Sequence, residues 1–260
     1  MRRLVLRLSG RGPPPLSFVS PARLGPPLAS YSLGLLPASL ARREFSSSAQ
    51  RGAACWLVLG LGNPGMAGTR HSVGAVAVRR LAERLGAGSA WRGDRAVAGT
   101  LAEVGPPGGP PGGPPAWPGG PRLVLLASSH PMNVNGLSAA LAAKKFSVPA
   151  QEVVLLHDDV DKPLGHVALK HGGSARGHNG VKSCIHCLRS DAMVRLRIGV
   201  GRGDVARGSA ALVAHVLAPF SAEEEPQIQR ALERGIDLLL AHMGYTGGHT
   251  GGHMGEEVPR

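Results

Sequence analysis

57-LVLGLGNPGMAGTRHSVG-74 is an apolar run that ends in GLGNPG, and the reading of that turn decides what kind of α/β protein this is. Gly60, Gly62 and Gly65 stand at the G-x-G-x-x-G spacing of a dinucleotide-binding loop. Such a loop needs a helix that starts on its last glycine and, about 20 residues on, an acid at the end of a second strand to hold the ribose. Here Met-Ala-Gly-Thr-Arg-His follows Gly65 before any helical pattern, and the acid at the right distance, Glu83, falls inside the helical stretch RRLAERL. A dinucleotide-dependent oxidoreductase is therefore disfavoured. The glycines instead let a strand end in a tight turn that presents side chains, with Asn63 and His71 as the polar groups presented.

Outward from this turn, strand-like and helix-like patterns alternate. Strands are expected at 56–61, 96–104, 122–128, 153–157, 165–171 and 194–200, and helices at 72–85, 135–146, 179–189 and 222–242. That alternation predicts an α/β fold, a single domain over 51–243 with a twisted mixed β-sheet flanked by helices. The stretch 105-GPPGGPPGGPPAWPGGP-121 can neither pair in a sheet nor hold a helix, and is expected to be a disordered insert between two strands. The tail 244–260 is low-complexity and reads the same way. No segment has the roughly 18 uninterrupted apolar residues of a membrane span, so no membrane partner is expected.

Lys and Arg exceed Asp and Glu by 29 to 17, which points to a polyanionic partner such as nucleic acid. Half of the net charge of +12 comes from residues 1–45, where seven Arg face a single acid, Glu44. This Arg-, Ser-, Leu- and Pro-rich segment, residues 1–50, has the composition of a disordered mitochondrial presequence. The run RREFSSS resembles a matrix-processing site after Phe45. Mitochondrial localisation follows if the segment is used, and a cytoplasmic one if it is not. Three cysteines are too few for a disulfide framework. Cys184 and Cys187 form a lone C-x-x-C without the two further ligands a zinc site needs, so Cys is expected there as a small core residue.

Four further segments end apolar strands with polar residues: 130-HPMNVNG-136, 157-HDDVD-161, 171-HGGSARGHNG-180 and 195-RLRIGVGRG-203. Sites in open α/β sheets form outside the carboxyl ends of the strands. If these ends share one crevice, His71, Asp158, Asn63, Asn133 and Asn179 meet there. A histidine with a carboxylate partner is a general acid or base near neutral pH, and carboxamides hydrogen-bond amide and ribose groups. No Ser or Cys stands in a nucleophile-elbow context, so water is the expected nucleophile. Lys170, leading into the Gly-Gly loop, and one of Arg195 and Arg197 are expected to face the crevice and hold a phosphate.

These motifs, GLGNPG…TRHSVG, PMNVNG, HDDVD followed by KPLG, GGSARGHNG and RLRIGVG, resemble in order and spacing those of the bacterial-type peptidyl-tRNA hydrolases over residues 56–242. The resemblance implies a monomer that cleaves the ester between a peptide and the 3′ ribose of tRNA, holding the acceptor stem and 3′ end, without metal or cofactor. It further implies His71 as catalytic base, Asp158 as its orienting carboxylate, Asn63 as the reader of the blocked amino group, and Met132, Asn133 and Asn179 as substrate contacts. A non-catalytic RNA-binding protein on the same fold is the alternative. The chain departs from the family in a turn two residues shorter between Gly65 and Thr69 that lacks the family Tyr, in Ser72 for Asn, and in Pro131 before Met-Asn. Arg176, His171, Lys170 and Arg197 are then expected to carry more of the contact electrostatically.

Overall fold

The structure is a computed structural model, which describes residues 55–105, 121–203, 205–206 and 208–244. The predicted presequence, the insert between Gly105 and Pro121 and the tail beyond Gly244 lie outside the described residues. Among the described residues, seven strands form one mixed sheet: β1 (Cys55–Gly60), β2 (Arg92–Asp94), β3 (Gly99–Val104), β4 (Arg122–Ser128), β5 (Val153–Asp159), β6 (Val167–His171) and β7 (Val194–Gly199). Their spatial order is β2-β3-β4-β1-β5-β7-β6. The central four, β4-β1-β5-β7, are parallel. The edges β2-β3 and β6 are antiparallel to their neighbours.

A parallel strand is covered on both faces, so its residues are apolar without alternation. β1 and β5 obey this: Leu57, Val58, Leu59 and Val153, Val154, Leu155, Leu156 are all fully buried. Helices α1 (Val73–Arg84) and α5 (Glu225–His242) cover one face through Val78, Leu81, Ile228, Leu232 and Ile236. Helices α2 (Asn135–Phe146) and α3 (Asn179–Leu188) cover the other through Ala139, Ala142, Val181 and Cys184. Cys184 is thus a core residue, and burial pushes its thiol well above the usual range. No helix among the described residues is long and apolar enough to cross a membrane.

Three elements differ from the sequence expectation. The strand expected over 96–104 begins only at Gly99, and an unexpected strand β2 precedes it, because Asp94 Oδ1 accepts Ala96 N–H at 2.9 Å and winds a 3-10 turn over Arg95–Val97. Ala98, at φ 49°, then reverses the chain into β3. Helix α4 (Ala210–Leu217) was not expected, since AALVAHVL is apolar except for His215 and carries no clear 3.6-residue period. The last helix begins at Glu225, three residues later than expected, with Pro226 in its first turn, where the missing N–H is harmless.

The chain leaves β1 for α1 on one face and β4 for α2 on the other, so a crevice opens at the carboxyl ends of these strands. Close packing of α1 on the sheet requires glycine. A Cβ on Gly74 would stand 2.0 Å from the Leu156 carbonyl oxygen and 2.8 Å from that of Leu61. An exposed helical Gly→Ala change gains about 1 kcal/mol. Gly74→Ala is expected to reverse that sign and destabilise by about 3 kcal/mol, since the clash is with backbone that cannot turn aside. Urea unfolding should show a lowered midpoint at an unchanged slope.

Candidate active site

His71 is delivered by the 3-10 turn Arg70–Ser72 just before α1, and Asp158 by the last turn of β5. His71 Nδ1 lies 3.0 Å from each oxygen of the Asp158 carboxylate. A second histidine, His178, caps α3 and places its Nε2 2.9 Å from Asp158 Oδ1. His178 Nδ1 accepts the Val181 N–H at 3.3 Å, so its proton resides on Nε2 and is donated to the carboxylate. The carboxylate likewise draws the His71 proton to Nδ1, which leaves His71 Nε2 as a lone pair.

Asp158 is only 3% exposed. Burial by itself would raise its pKa, but the charge and hydrogen bond of His178 and those of His71 outweigh it and hold the carboxyl well below its usual range. For His71 the balance runs the other way. Burial pulls the imidazole down, and the hydrogen bond and charge of Asp158 carry it above the ordinary 6.5. His157, beneath them, donates Nδ1–H to the Asp158 carbonyl at 2.7 Å. Burial, reinforced by His178, pushes its pKa down to about 3, so it stays neutral.

Asn63 stands in the turn after β1, tied to the loops on either side. Its N–H donates to Ser72 Oγ at 3.1 Å, and its Oδ1 accepts the Met132 N–H at 2.8 Å. Buried Asn135 ties the same loops, accepting Gly62 N–H at 3.2 Å and donating to the His130 and Pro131 carbonyls at 2.7 and 2.9 Å. Met132 itself is 4% exposed and packs over Gly180, so its side chain belongs to the core, and the group it offers the site is its backbone N–H. Asn133 and Asn179 are exposed, on the 3-10 turn before α2 and on the first residue of α3.

A pocket of about 500 Å³ extends from His71, Asp158 and His178 past Asn179 to Lys170, Arg176, Arg195 and Arg197, with Leu212, Val213 and Val216 of α4 as its apolar wall. Asn63, Met132 and Asn133 are outside its lining, on the β1–β4 side of His71. The expectation that one of Arg195 and Arg197 faces the crevice is corrected: both line it, because residues two apart on a strand share a face. Arg195 is buried and donates to the carbonyls of Gly172, Gly173 and Ser174. Arg197 is paired with Asp159 at 2.5 Å, so its charge is partly spent. His171 is not in the pocket; it pairs with Val194 at the opposite end of β7 and its ring meets His242.

His71, Asp158 and His178 bring three potential ligand atoms within 4.8 Å of one another, a spacing a cation could fit. The proton on His178 Nε2 argues for a hydrogen-bonded cluster, since a ligating Nε2 would force a proton onto Nδ1 against the Val181 N–H. His178 escaped the sequence reading although it stands in the quoted GHNG. The signal was its place immediately before a helix start, where a ring nitrogen can cap.

The fold and these residues bring a carboxylate-anchored histidine to the carboxyl end of the parallel strands of an open α/β sheet. A family model described as peptidyl-tRNA hydrolase matches residues 57–249, and the chain belongs to that family. A mouse (Mus musculus) protein described as a probable peptidyl-tRNA hydrolase is 47% identical over 188 residues, 72% of this chain and 85% of that protein. A peptidyl-tRNA hydrolase of Synechococcus sp. (strain CC9311) is 40% identical over 185 residues, 70% and 83% of the two chains. Among solved structures, the peptidyl-tRNA hydrolase of Acinetobacter baumannii superposes with a TM-score of 0.60 at 27% identity, over 75% of this chain and 92% of that one.

The buried neutral His157 makes acid stability testable. An unfolded histidine takes up its proton near 6.5, while folded His157 resists protonation down to about 3, so acid favours the unfolded chain. This contribution is fully present above 6.5 and is lost as pH falls toward 3. Between pH 6 and 4, the unfolding free energy of the parent should fall more steeply than that of His157→Gln, by about 1.4 kcal/mol per pH unit. Equal slopes in denaturant titrations would show that His157 is protonated when folded.

Proposed function

We propose that this protein hydrolyses the ester joining an N-blocked aminoacyl or peptidyl group to the 3′ ribose of tRNA, releasing peptide and free tRNA, with water as nucleophile and His71 as base. One observation carries the reading. His71 is anchored to Asp158 through Nδ1, its Nε2 has no hydrogen bond among the described residues, and it lines a pocket shared with Lys170, Arg176, Arg195 and Arg197. Among the described residues, no Ser, Thr or Cys side chain is hydrogen-bonded to His71. Nε2 therefore takes the proton of a water, the hydroxide formed adds to the ester carbonyl, and the proton returns to the leaving ribose oxygen. Asp158 holds the tautomer and stabilises the imidazolium formed on the way.

Asn63 fits the reading of the blocked amino group with a defined polarity. Its Oδ1 is engaged by Met132 N–H, so its Nδ2 is the group on offer, and a donor suits the acyl oxygen of an N-blocked substrate. A free aminoacyl ester presents an ammonium, a donor facing a donor. On this reading the exposed Asn133 and Asn179 hydrogen-bond the peptide and ribose, and Lys170 with Arg197 hold the acceptor-strand phosphates. The family supports a monomer, and the composition of residues 1–50 supports action in mitochondria.

Incubation with N-acetyl-aminoacyl-tRNA, scored by release of free tRNA, tests the activity. His71→Ala should slow turnover at least about a hundredfold with tRNA binding retained. Because the base must be unprotonated, kcat/KM of the parent should rise with pH through an apparent pKa above 6.5. In Asp158→Asn that limb should move to lower pH while the plateau falls. Binding of tRNA without turnover would instead favour a non-catalytic RNA-binding protein.

The donor role of Asn63 predicts a change of preference with a sign. The parent should cleave the N-acetylated substrate far faster than the free aminoacyl-tRNA. Asn63→Ala should erode that ratio, and Asn63→Asp should erode it further by offering an acceptor to the ammonium. Ratios unchanged in both variants would remove Asn63 from substrate discrimination.

A further inference from the structure

The loop between β6 and α3 is wound through the left-handed region: Gly172 (φ 57°), Gly173 (85°), Arg176 (48°) and Gly177 (89°). Three of these are glycines, which adopt such angles freely. Arg176 is not, and a backbone strain that glycine would relieve is retained at this position. Beneath the loop, buried Arg195 gathers the carbonyls of Gly172, Gly173 and Ser174. With the oxygens turned down onto Arg195, the N–H groups of Gly173, Ser174, Ala175, Arg176 and Gly177 have no acceptor among the described residues. Successive unpaired amides in a loop of this kind form a concavity for anions.

The side chains above the loop carry the same sign. Arg176 is exposed, lines the pocket and makes no hydrogen bond or ion pair among the described residues. Lys170 is across from it, 3.4 Å through its Nζ from where a Cβ on Gly173 would stand. The ammonium of Lys170 is held below its ordinary pKa by slight burial and by the charges of Arg195, Arg176 and Arg197. Three acids line the same pocket and none is free: Asp158 is held by two histidines, Asp159 by Arg197, and Asp161 is engaged as well. An anion arriving here meets two uncompensated cations and a row of free amide donors.

We propose that Arg176 is a phosphate-binding residue of the substrate groove: with Lys170 and the amides of its own loop it holds an internucleotide phosphate of the tRNA 3′ strand. This rests on the reading of the substrate given above and adds to it a contact residue at a position where glycine would be the relaxed choice. The contact is with backbone, so it is independent of base sequence and acts on binding, not on the ester.

Three variants test it: Arg176→Gln, which removes the charge at similar length, Arg176→Gly, which also relieves the backbone, and Arg176→Lys, which keeps a cation. Steady-state cleavage of N-acetyl-aminoacyl-tRNA and binding of uncharged tRNA are measured over a range of salt, with thermal unfolding alongside. The Gln and Gly variants should raise KM about tenfold with kcat within about twofold, and weaken uncharged tRNA by a similar factor. The slope of log affinity against log salt should shrink by about 0.7 in both, and Arg176→Lys should retain most of the parent's slope. Arg176→Gly should melt no lower than the parent. Parent-like KM and salt slope in both neutral variants overturn the proposal, and so does a loss confined to kcat, which would place Arg176 on the geometry of His178. Failure of the parent to cleave N-blocked substrate would instead strike the proposed activity, and the binding of uncharged tRNA would still decide the role of Arg176.

Discussion

The Asp158 carboxylate is the constraint on which the site depends. It is a charge buried at the carboxyl end of a central parallel strand, a position that would protonate it if nothing opposed desolvation. Two imidazole N–H groups oppose it, one from the turn before α1 and one from the residue capping α3. Each stabilises the anion, and the anion in turn fixes which nitrogen of each ring bears the proton. The single carboxylate therefore joins three elements that meet nowhere else in sequence, and aims the free nitrogen of His71 at the pocket. Removing it would leave two imidazoles with unsatisfied donors and His71 with no preferred tautomer.

Around this centre, the loops are held by polar side chains that take no part in proton transfer. Asn135 stitches the turn after β1 to the segment after β4, and Ser72 holds the amide of Asn63. The Ser72 hydroxyl is the acceptor that fixes this turn beside His71. Arg70, next to His71, is buried and binds the Ala218 and Pro219 carbonyls and Glu224, with Phe220 under its guanidinium. The connection between α4 and α5 is thereby tied to the residue preceding His71. The apolar wall of the pocket and the histidine at its head are positioned by one arginine.

The basic balance of the chain is distributed unevenly. On the outer face, Arg80 and Arg84 of α1 meet Glu233 and Asp237 of α5, exposed pairs worth little individually but together a lock between the two helices on that side of the sheet. Arg195 is consumed internally by loop carbonyls, and Arg197 is shared with Asp159. Among the described residues, the cations of the pocket that remain unpaired are Lys170 and Arg176, so the positive field is concentrated where β6 and its following loop line the crevice. Such a field suits a polyanionic substrate.

The sequence by itself determined the α/β class, the apolar central strands and the polar strand ends at which the site would form, because buried parallel strands and Gly-rich turns leave local patterns. His71 and Asp158 were legible as polar residues at the end of apolar runs, His71 after the Gly-rich turn and Asp158 within HDDVD. What only the tertiary structure decided is contact between distant residues. His178 joins Asp158 across 20 residues and Asn63 joins Met132 across 69, and no local period encodes such pairings. Burial also reassigned roles: Met132 turned inward, Arg195 became structural and His171 fell at the wrong end of its strand, since antiparallel β6 runs away from the crevice. α4 stayed hidden because a helix apolar except for His215 shows no clear period, and its place over the pocket depends on the buried Arg70 that only folding brings to it.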